Sequence, residues 1–243
     1  MSLSSIKLQD AGQVREHRRR LWRSEALIPT GKDFLLFILA AAVSFLSMTA
    51  VMRVLRSADR GLPYRDRFAS GDNAEWVAYG GNWEVHAGEM GNESNERGAK
   101  LVTGSAYWED YVVQADVALR SAGDAGLIAR VSDAEQGVDA YKGVYAGLRF
   151  RDQSLVLGIA DHDWQELAVK PLPSAIVPNA WYHLKIRLKG CNFDAVVNDG
   201  EAELARLEIS PAPCPERGKA GMRSYDSGGL WKNFQVTKLS GRR

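Results

Sequence analysis

Cysteine is scarce in this sequence, with only Cys191 and Cys214 among 243 residues. Two cysteines are too few for a disulfide scaffold, and their spacing matches neither a redox motif nor a zinc site. They enclose a strand hairpin and a proline-rich turn, which makes them candidates for one disulfide bridge. The alternative is two unrelated thiols, one in a strand and one on a loop.

An excess of charge of either sign is also missing. The chain carries 31 Lys and Arg against 30 Asp and Glu, so its formal net charge is +1. This balance argues against a nucleic-acid-binding surface covering the whole domain. Hydrophobic residues make up 45% of the chain, which is typical of a globular protein. No internal repeat or low-complexity linker interrupts it.

The usual catalytic motifs are missing too. A retaining glycosidase of the laminarinase type needs two close carboxylates, supplied by Glu-x-Asp-x-x-Glu on one strand, and the sequence has no such run. The nearest carboxylates, Glu109-Asp110 and the trio Glu201, Glu203 and Glu208, are expected to be solvated strand ends. No histidine lies near a Ser or Cys nucleophile motif. The sequence therefore predicts no enzyme and no cofactor.

One long hydrophobic run is present. Residues 34–52 contain no charge and are bounded by Asp33 and Arg53. At about 1.5 Å per residue, this run nearly spans a hydrocarbon core of roughly 30 Å, so it predicts a transmembrane helix over residues 34–56. A buried core helix would normally show a polar stripe. A cleaved signal peptide is disfavoured because 33 residues precede the run.

Basic residues flank this run almost equally, so the charge bias barely decides the orientation. A basic and aromatic cluster in the N-terminal tail, residues 1–33, favours contact with an anionic cytoplasmic leaflet; it comprises Arg18, Arg19, Arg20, Trp22 and Arg23. The alternative is a solvated, disordered tail. The cluster predicts a single-pass protein of the inner (plasma) membrane with a cytoplasmic N-terminus, a linker over residues 57–63 and a periplasmic domain over residues 64–240.

From Tyr64 onward the hydrophobic period changes to two, with turn residues every 8 to 15 positions. Residues 181–189 give the clearest strand, in which apolar side chains alternate with basic ones. Asn198-Asp199-Gly200 provides a hairpin turn. The pattern predicts an all-β domain of about twelve strands, which needs two packed sheets.

Residues 141–150 contain the most suggestive binding pattern. Tyr141, Tyr145 and Arg149 are expected on one face of a strand, separated by glycines, where two aromatic rings form a shallow platform. Such a platform suits stacking of a sugar or of a partner's loop, with Arg149 adding hydrogen bonds. The alternative is an aromatic cover on an ordinary sheet.

The order of aromatic, glycine and β-branched positions resembles a known fold family. The segments Gly81-Asn-Trp-Glu-Val, Tyr107-Trp-Glu-Asp-Tyr, Tyr141-Lys-Gly-Val-Tyr and Trp231-Lys-Asn-Phe-Gln-Val are similar to those of the concanavalin A-like lectin and glucanase jelly roll. The branch most similar is the 3-keto-disaccharide hydrolase-like or laminin-G-like one. The resemblance covers residues 64–240 and implies a two-sheet jelly-roll sandwich far more firmly than a function.

Laminin-G-like domains bind calcium, so the resemblance draws attention to Asp161 and Asp163 as weak candidates for a metal site. Their position between two predicted strands favours the alternative that they are turn formers. We therefore expect no metal.

The sequence leaves three functional hypotheses. The first is a non-catalytic accessory subunit that braces other integral membrane subunits, in an energy-transducing, respiratory or photosynthetic complex. The second is a cell-envelope glycan-binding module, and the third is a divergent glycoside hydrolase. The expected partners are the lipid bilayer, membrane subunits and a glycan.

Overall fold

The computed structural model describes residues 31–58, 61–69, 75–120 and 122–239. The chain divides into two compact units, Met1–Ala50 and Val51–Arg243. The basic and aromatic cluster formed by Arg18, Arg19, Arg20, Trp22 and Arg23 lies outside the described residues.

Helix α1 (Gly31–Ala58) includes the whole of the predicted hydrophobic segment. Two of its hydroxyl groups bond to its own backbone: Ser47 Oγ donates to the carbonyl of Val43 and Thr49 Oγ1 to that of Leu46, both at 2.8 Å. Within the described residues, no helix is long and apolar enough to cross a membrane. The structure therefore confirms a helix here, and the predicted transmembrane anchor is not shown.

The described part of the remaining chain contains fifteen strands. They are β1 (Tyr64–Asp66), β2 (Val77–Tyr79), β3 (Trp83–His86), β4 (Glu89–Asn92), β5 (Ala99–Thr103), β6 (Tyr111–Leu119), β7 (Asp124–Ser132), β8 (Lys142–Arg149), β9 (Ser154–Asp161), β10 (Trp164–Pro171), β11 (Tyr182–Lys189), β12 (Asn192–Asp199), β13 (Ala202–Ile209), β14 (Lys219–Tyr225) and β15 (Gly229–Lys238).

These strands form two antiparallel sheets. Sheet I has eight strands in the order β13-β12-β11-β6-β15-β4-β3, with β1 also paired to β15, and sheet II has seven in the order β10-β9-β8-β7-β14-β5-β2. Sequence neighbours pair as hairpins from β7 to β10 and from β11 to β13, whereas β14 and β15 return to lie beside much earlier strands. The predicted all-β, two-sheet sandwich is confirmed.

The main core lies between the two sheets. Strand β6 alternates buried residues such as Tyr111, Val113 and Ala115 with partly exposed ones, as a strand with one covered face should. Trp231 is fully buried, and its indole Nε1 donates to the carbonyl of Gly126 at 3.1 Å. That hydrogen bond satisfies the one polar atom of a large core side chain.

Asn92 connects the two sheets at one end of this core. Its side chain is fully buried, and Nδ2 donates to Ser224 Oγ at 2.8 Å. Its Oδ1 accepts hydrogen bonds from the backbone N–H groups of Asn82 and Ser94, at 2.9 and 3.1 Å. Three polar partners explain why an amide is tolerated at this buried position.

Sheet II also carries a second, smaller apolar cluster on the face that points away from sheet I, here called the outer face. Residues of β7 show how the two faces alternate: Leu127 belongs to the main core, whereas Ile128 belongs to the second cluster. The cluster consists of Val102, Ile128, Val131, Tyr141, Tyr145, Val156 and Ala160. Because the middle strands of sheet II are buried on both faces, their outer face is the place to look for a built site.

Candidate functional site

Glycines on the outer face of sheet II let aromatic side chains lie flat against the sheet. A Cβ added at Gly147 would fall 2.0 Å from the hydroxyl oxygen of Tyr145, and one added at Gly158 would fall 2.6 Å from the Trp164 ring. The rings of Tyr145 and Trp164 meet edge to face, with centroids 5.7 Å apart. The Tyr-x-Gly spacing of β8 therefore lets the Tyr145 ring lie over Gly147, and Gly158 of β9 leaves room for the Trp164 ring.

These rings border a cleft of about 420 Å³ on the outer face. Strands β7, β8, β9, β10 and β14 and the loops at their ends contribute its lining. The lining residues are Ala122, Gly123, Asp124, Asp139, Tyr145, Arg149, Arg151, Val156, Trp164, Arg223, Tyr225 and Asp226. The cleft thus combines three aromatic rings with charged groups of both signs.

Arg223 lies in the wall of the cleft with only 4% of its surface exposed. Its Nη2 donates to Asp139 Oδ1 at 2.6 Å, and its guanidinium carbon lies 4.7 Å from the centroid of the Tyr145 ring and 5.5 Å from that of Tyr225. Stacking and one charge-assisted hydrogen bond hold the guanidinium in place. Its Nε has no hydrogen-bond partner among the described residues.

Asp124 begins β7 and is cross-strand neighbour to Tyr225 on one side and Arg149 on the other. Burial raises the pKa of its carboxyl to about 6, and the positive charges of Arg223 and Arg149 partly offset that rise. Among the described residues, no side chain donates a hydrogen bond to this carboxylate. Asp124 is therefore a partly buried acceptor that no described side chain engages.

Arg149 is engaged at the rim of the cleft. It forms an ion pair with Asp152, Nη2 to Oδ2, at 2.6 Å and a second one with Glu166 of β10. The hydrogen bond from Arg149 lowers the pKa of Asp152 to about 2, so this pairing persists through the physiological range. The trio joins β8, the turn after it and β10, and so fixes one wall.

The structure brings two of the three predicted binding residues together. Tyr145 and Arg149 both line the cleft, and they lie on the same face of β8 with Gly147 between them. Tyr141 does not line it; its ring is fully buried, with Lys100 Nζ 5.6 Å from the ring centroid. The predicted open platform is wrong in that respect, because Tyr141 is part of the buried apolar cluster of the outer face, against which Ala134 also packs.

Sequence reasoning missed the other residues of the cleft, among them Asp124, Asp139, Trp164, Arg223 and Tyr225. One local pattern could have found two of them. The run Arg223-Ser-Tyr225 places a basic and an aromatic side chain on the same face of a strand. The others reach the cleft through strand order, which no local pattern reveals.

The candidate metal residues hold the turn between β9 and β10. Asp163 Oδ1 accepts a hydrogen bond from the backbone N–H of Trp164 at 2.9 Å, and Asp161 lies 3.6 Å from Lys142 Nζ. Within the described ranges, no group of three or more His, Cys, Asp and Glu side chains is arranged to hold a metal ion. The geometry corresponds to the turn-forming alternative.

Cys191 and Cys214 are joined in a disulfide with a Cα–Cα distance of 5.7 Å. A buried arginine fastens the same loop: Arg130 Nη1 donates to the carbonyls of Gly190 and Pro215, each at 2.7 Å. Its other nitrogens bind the carbonyl of Glu109 and the carboxylate of Asp110. Glu109, through its backbone carbonyl, and Asp110, through its carboxylate, therefore anchor Arg130.

Comparison with known proteins adds to this geometry. Residues 64–237 match the model of the 3-keto-alpha-glucoside-1,2-lyase-like domain. The chain belongs to this family. That membership confirms the 3-keto-disaccharide hydrolase-like part of the resemblance seen in the sequence. It leaves the prediction of a non-enzymatic protein unconfirmed. No curated protein matches the chain.

Several solved structures have the same two-sheet fold. The carbohydrate-binding module CBM66 from Bacillus subtilis is 17% identical with a TM-score of 0.56, over 68% of this chain and 96% of that one. A Bacillus subtilis protein of unknown function with a galectin-like fold is 14% identical with a TM-score of 0.59, over 76% and 99%.

A third similar structure is the exoplasmic/lumenal domain of VIP36 with Ca2+ and Man3GlcNAc bound. It is 13% identical with a TM-score of 0.55, over 76% of this chain and 92% of that one. At these identities the likeness shows the jelly-roll fold alone.

Proposed function

We propose that the β-sandwich is a saccharide-binding domain and that the saccharide occupies the cleft on the outer face of sheet II. The observation that carries this proposal is the arrangement of the aromatic side chains of Trp164, Tyr145 and Tyr225 around Asp124, a carboxylate to which no described side chain donates a hydrogen bond. Sugar rings offer apolar C–H faces to aromatic rings and hydroxyl groups to carboxylates and guanidinium groups.

The comparisons support this proposal over the bracing of membrane subunits. One similar structure is a carbohydrate-binding module, and another contains a bound mannose-type glycan. Nothing comparable supports an accessory-subunit role, so glycan binding, the second of the sequence hypotheses, becomes the main one.

A glycan array followed by titration calorimetry on the purified protein tests the proposal. Trp164→Ala removes a ring from the cleft and should weaken binding about tenfold, as expected for the loss of one aromatic contact worth 0.5–1.5 kcal/mol together with its buried area. Trp181→Ala is the matched control, because Trp181 packs under Lys232 Nζ, 3.9 Å from its ring centroid, and does not line the cleft. Equal affinity in the two variants would place the saccharide elsewhere.

A second candidate function is a lyase acting on the same bound saccharide. The specific observation in its favour is Asp124, whose pKa near 6 suits a general base at neutral pH. In a 1,2-elimination from a 3-keto-glucoside, the Asp124 carboxylate would take the proton from C2. The C1–O bond would then break with its electrons going to the leaving oxygen, and a C1–C2 double bond would form.

The lyase is tested with a 3-keto-disaccharide by following ultraviolet absorbance of the conjugated enone. Turnover that disappears in Asp124→Asn, while the variant still binds the substrate, supports the lyase. A wild-type protein that binds the substrate and leaves it intact supports the binding module alone.

We also propose that the domain lies outside the cytoplasm, with the N-terminal tail inside. The bridge between Cys191 and Cys214 supports this location, because such bonds persist in oxidising compartments and are rare in the cytosol.

A further inference from the structure

Lys100 of β5 is a fully buried cation on the outer face of sheet II. Lysine is almost never fully buried unless its charge is paired, yet among the described residues no carboxylate lies within ion-pair distance of Lys100 Nζ. Its cross-strand partner on β14 is a second buried cation, Arg223. Burial, and next the charge of Arg223, lower the pKa of Lys100 to about 8. A cation kept in so unfavourable a position needs an explanation.

The hydrogen bonds of Lys100 connect two segments of the chain. Its Nζ donates to the carbonyl of Gly98, just before β5, at 3.0 Å and to that of Gly137 at 2.8 Å. Gly137 belongs to the loop between β7 and β8, residues 133–141, here called the β7–β8 loop. The two segments approach closely, because a Cβ added at Gly98 would fall 3.0 Å from the Gly137 carbonyl oxygen and 3.0 Å from the Cα of Val138. Lys100 therefore holds the β7–β8 loop against the start of β5.

The β7–β8 loop supplies one residue of the cleft, Asp139, two positions after Gly137. Asp139 has a φ of 52°, a left-handed conformation that residues other than glycine adopt rarely and keep only where their surroundings fix it. Its Oδ1 accepts the hydrogen bond from Arg223 Nη2 at 2.6 Å, and both side chains are buried. The direction of this carboxylate thus depends on how the loop is held.

Arg223 carries the position of Asp139 to the aromatic wall of the cleft. Its guanidinium carbon lies 4.7 Å from the centroid of the Tyr145 ring and 5.5 Å from that of Tyr225, which is the more exposed ring of the two. If the loop moved away from β5, it would take the carboxylate with it. The guanidinium would then lose the ion pair that fixes it beside both rings.

We propose that Lys100 is a positioning residue of the saccharide site, which acts through the β7–β8 loop. Its hydrogen bond to Gly137 holds the loop so that Asp139 reaches Arg223 and fixes one wall of the cleft. Lys100 itself is buried and touches no saccharide. This inference rests on the proposed saccharide-binding function and names the residue on which the shape of that site depends.

The first test is hydrogen exchange on the full-length protein, which needs no ligand. Lys100→Met removes the ammonium group and keeps a side chain of similar length. In the wild type, the amides of Glu135 and Tyr141 donate to carbonyls of the same loop, each at 2.8 Å. Their exchange should become about tenfold faster in the variant, while exchange of the Ile186 amide in sheet I stays the same. Unchanged protection of the loop, or equal acceleration in both places, would overturn the inference.

Gly98→Ala is a second variant that keeps Lys100. Its added Cβ would press on the backbone of Gly137 and Val138 and so displace the loop directly. The same acceleration confined to the loop is expected, and this variant decides the matter if Lys100→Met does not fold. Full protection of the loop in Gly98→Ala would contradict the close tie between the loop and β5.

The second test is titration calorimetry with a saccharide that the wild type binds. Lys100→Met and Asp139→Asn should each weaken binding about tenfold, because a site held less firmly loses its productive geometry. Since both changes act through one loop, the double variant should bind about as weakly as either single one, and losses that multiply would overturn the inference.

Lys219→Met is the matched control for calorimetry and should bind like the wild type. Lys219 is a partly buried lysine of β14 that does not line the cleft and has no side-chain hydrogen bond among the described residues. If the wild type binds no saccharide, the proposed function is wrong and this inference fails with it. If the wild type binds a saccharide and Lys100→Met binds it equally well, only this inference fails.

Discussion

The carboxyl group of Asp124 makes stability depend on pH in a way that can be measured. Burial raises its pKa from 3.8 to about 6, so the folded protein holds this proton more tightly than the unfolded chain does. Ionised Asp124 therefore costs stability above about pH 6, and this cost disappears as the pH falls below about 4. A shift of about two units corresponds to an upper limit of about 3 kcal/mol.

Asp124→Asn should consequently raise the free energy of unfolding at pH 7.5 by about 1–2 kcal/mol, less than that limit because Asp124 is only partly buried. At pH 3.5 the variant and the wild type should be equally stable. Urea unfolding at the two pH values checks this, and an equal gain at both would show that ionisation is not the cause.

Gly147 is the residue on which the position of Tyr145 depends. An alanine Cβ there would lie 2.0 Å from Tyr145 Oη and 2.9 Å from the backbone carbonyl oxygen of Ala125, so the tyrosine must move. Gly147→Ala should lower the free energy of unfolding by about 1–3 kcal/mol and abolish saccharide binding. Gly61→Ala, with no atom within 4 Å of its added Cβ, should change neither quantity in denaturation and calorimetry.

The sequence predicted only some of the residues that line the site. Tyr145 and Arg149 were found because they share one strand, where a period of two assigns side chains to faces. Arg223 and Asp124 come from β14 and β7, which are neighbours although about a hundred residues separate them in the chain. That register depends on packing of the whole sandwich, so no local pattern contained it.

Two interactions hold the loop between β13 and β14 against the rest of the domain. The disulfide closes it covalently, and Arg130 holds the carbonyl groups next to both cysteines, Gly190 and Pro215. For a loop with a sequence separation of 23, the chain-entropy model gives roughly 3 kcal/mol of stabilisation. Because Arg130 keeps the native ends together, we expect the domain to stay folded without the bridge.

A double-mutant cycle measures this redundancy. Cys191→Ser with Cys214→Ser should cost at most about 3 kcal/mol, and adding Arg130→Met should cost more than the sum of the separate losses. Denaturant unfolding of the four proteins provides the numbers. Additive losses of unfolding free energy would mean that the disulfide and Arg130 stabilise different parts of the domain.

Long strands were predicted well and short ones were not. The expected strand at residues 181–189 differs from β11 (Tyr182–Lys189) by a single residue. Strands β1 to β4, of three or four residues each, were missed, because so short a segment shows barely one period of alternation. The count of about twelve strands was therefore too low.

For the molecule as a whole, orientation across a membrane stays a prediction that labelling can test. In intact cells, a membrane-impermeant maleimide should label Ser174→Cys, on an exposed connection after β10, and should not label Ser5→Cys. The native cysteines are bridged and do not compete. Labelling of Ser5→Cys alone would reverse the orientation, and labelling of neither would place both sites inside the cell.

Fold class was accessible from the sequence because two-sheet packing follows from alternation repeated over many strands. Function was less accessible. The absence of a paired-carboxylate motif led toward an accessory subunit, yet the cleft gathers Asp124, Arg223 and Trp164 from three different strands. A search confined to linear motifs could not detect a site whose residues are adjacent only after folding.

The buried amide of Asn92 has a practical consequence for producing this protein in a eukaryotic secretory host. Asn92-Glu93-Ser94 is an N-glycosylation sequon, and such acceptors are normally found in surface loops. Here Nδ2 is committed to Ser224, and the side chain is fully buried. An oligosaccharide attached to Asn92 during synthesis could not enter this buried position, so the glycosylated fraction should fail to fold. The substitution Ser94→Ala removes the sequon and keeps Asn92 itself.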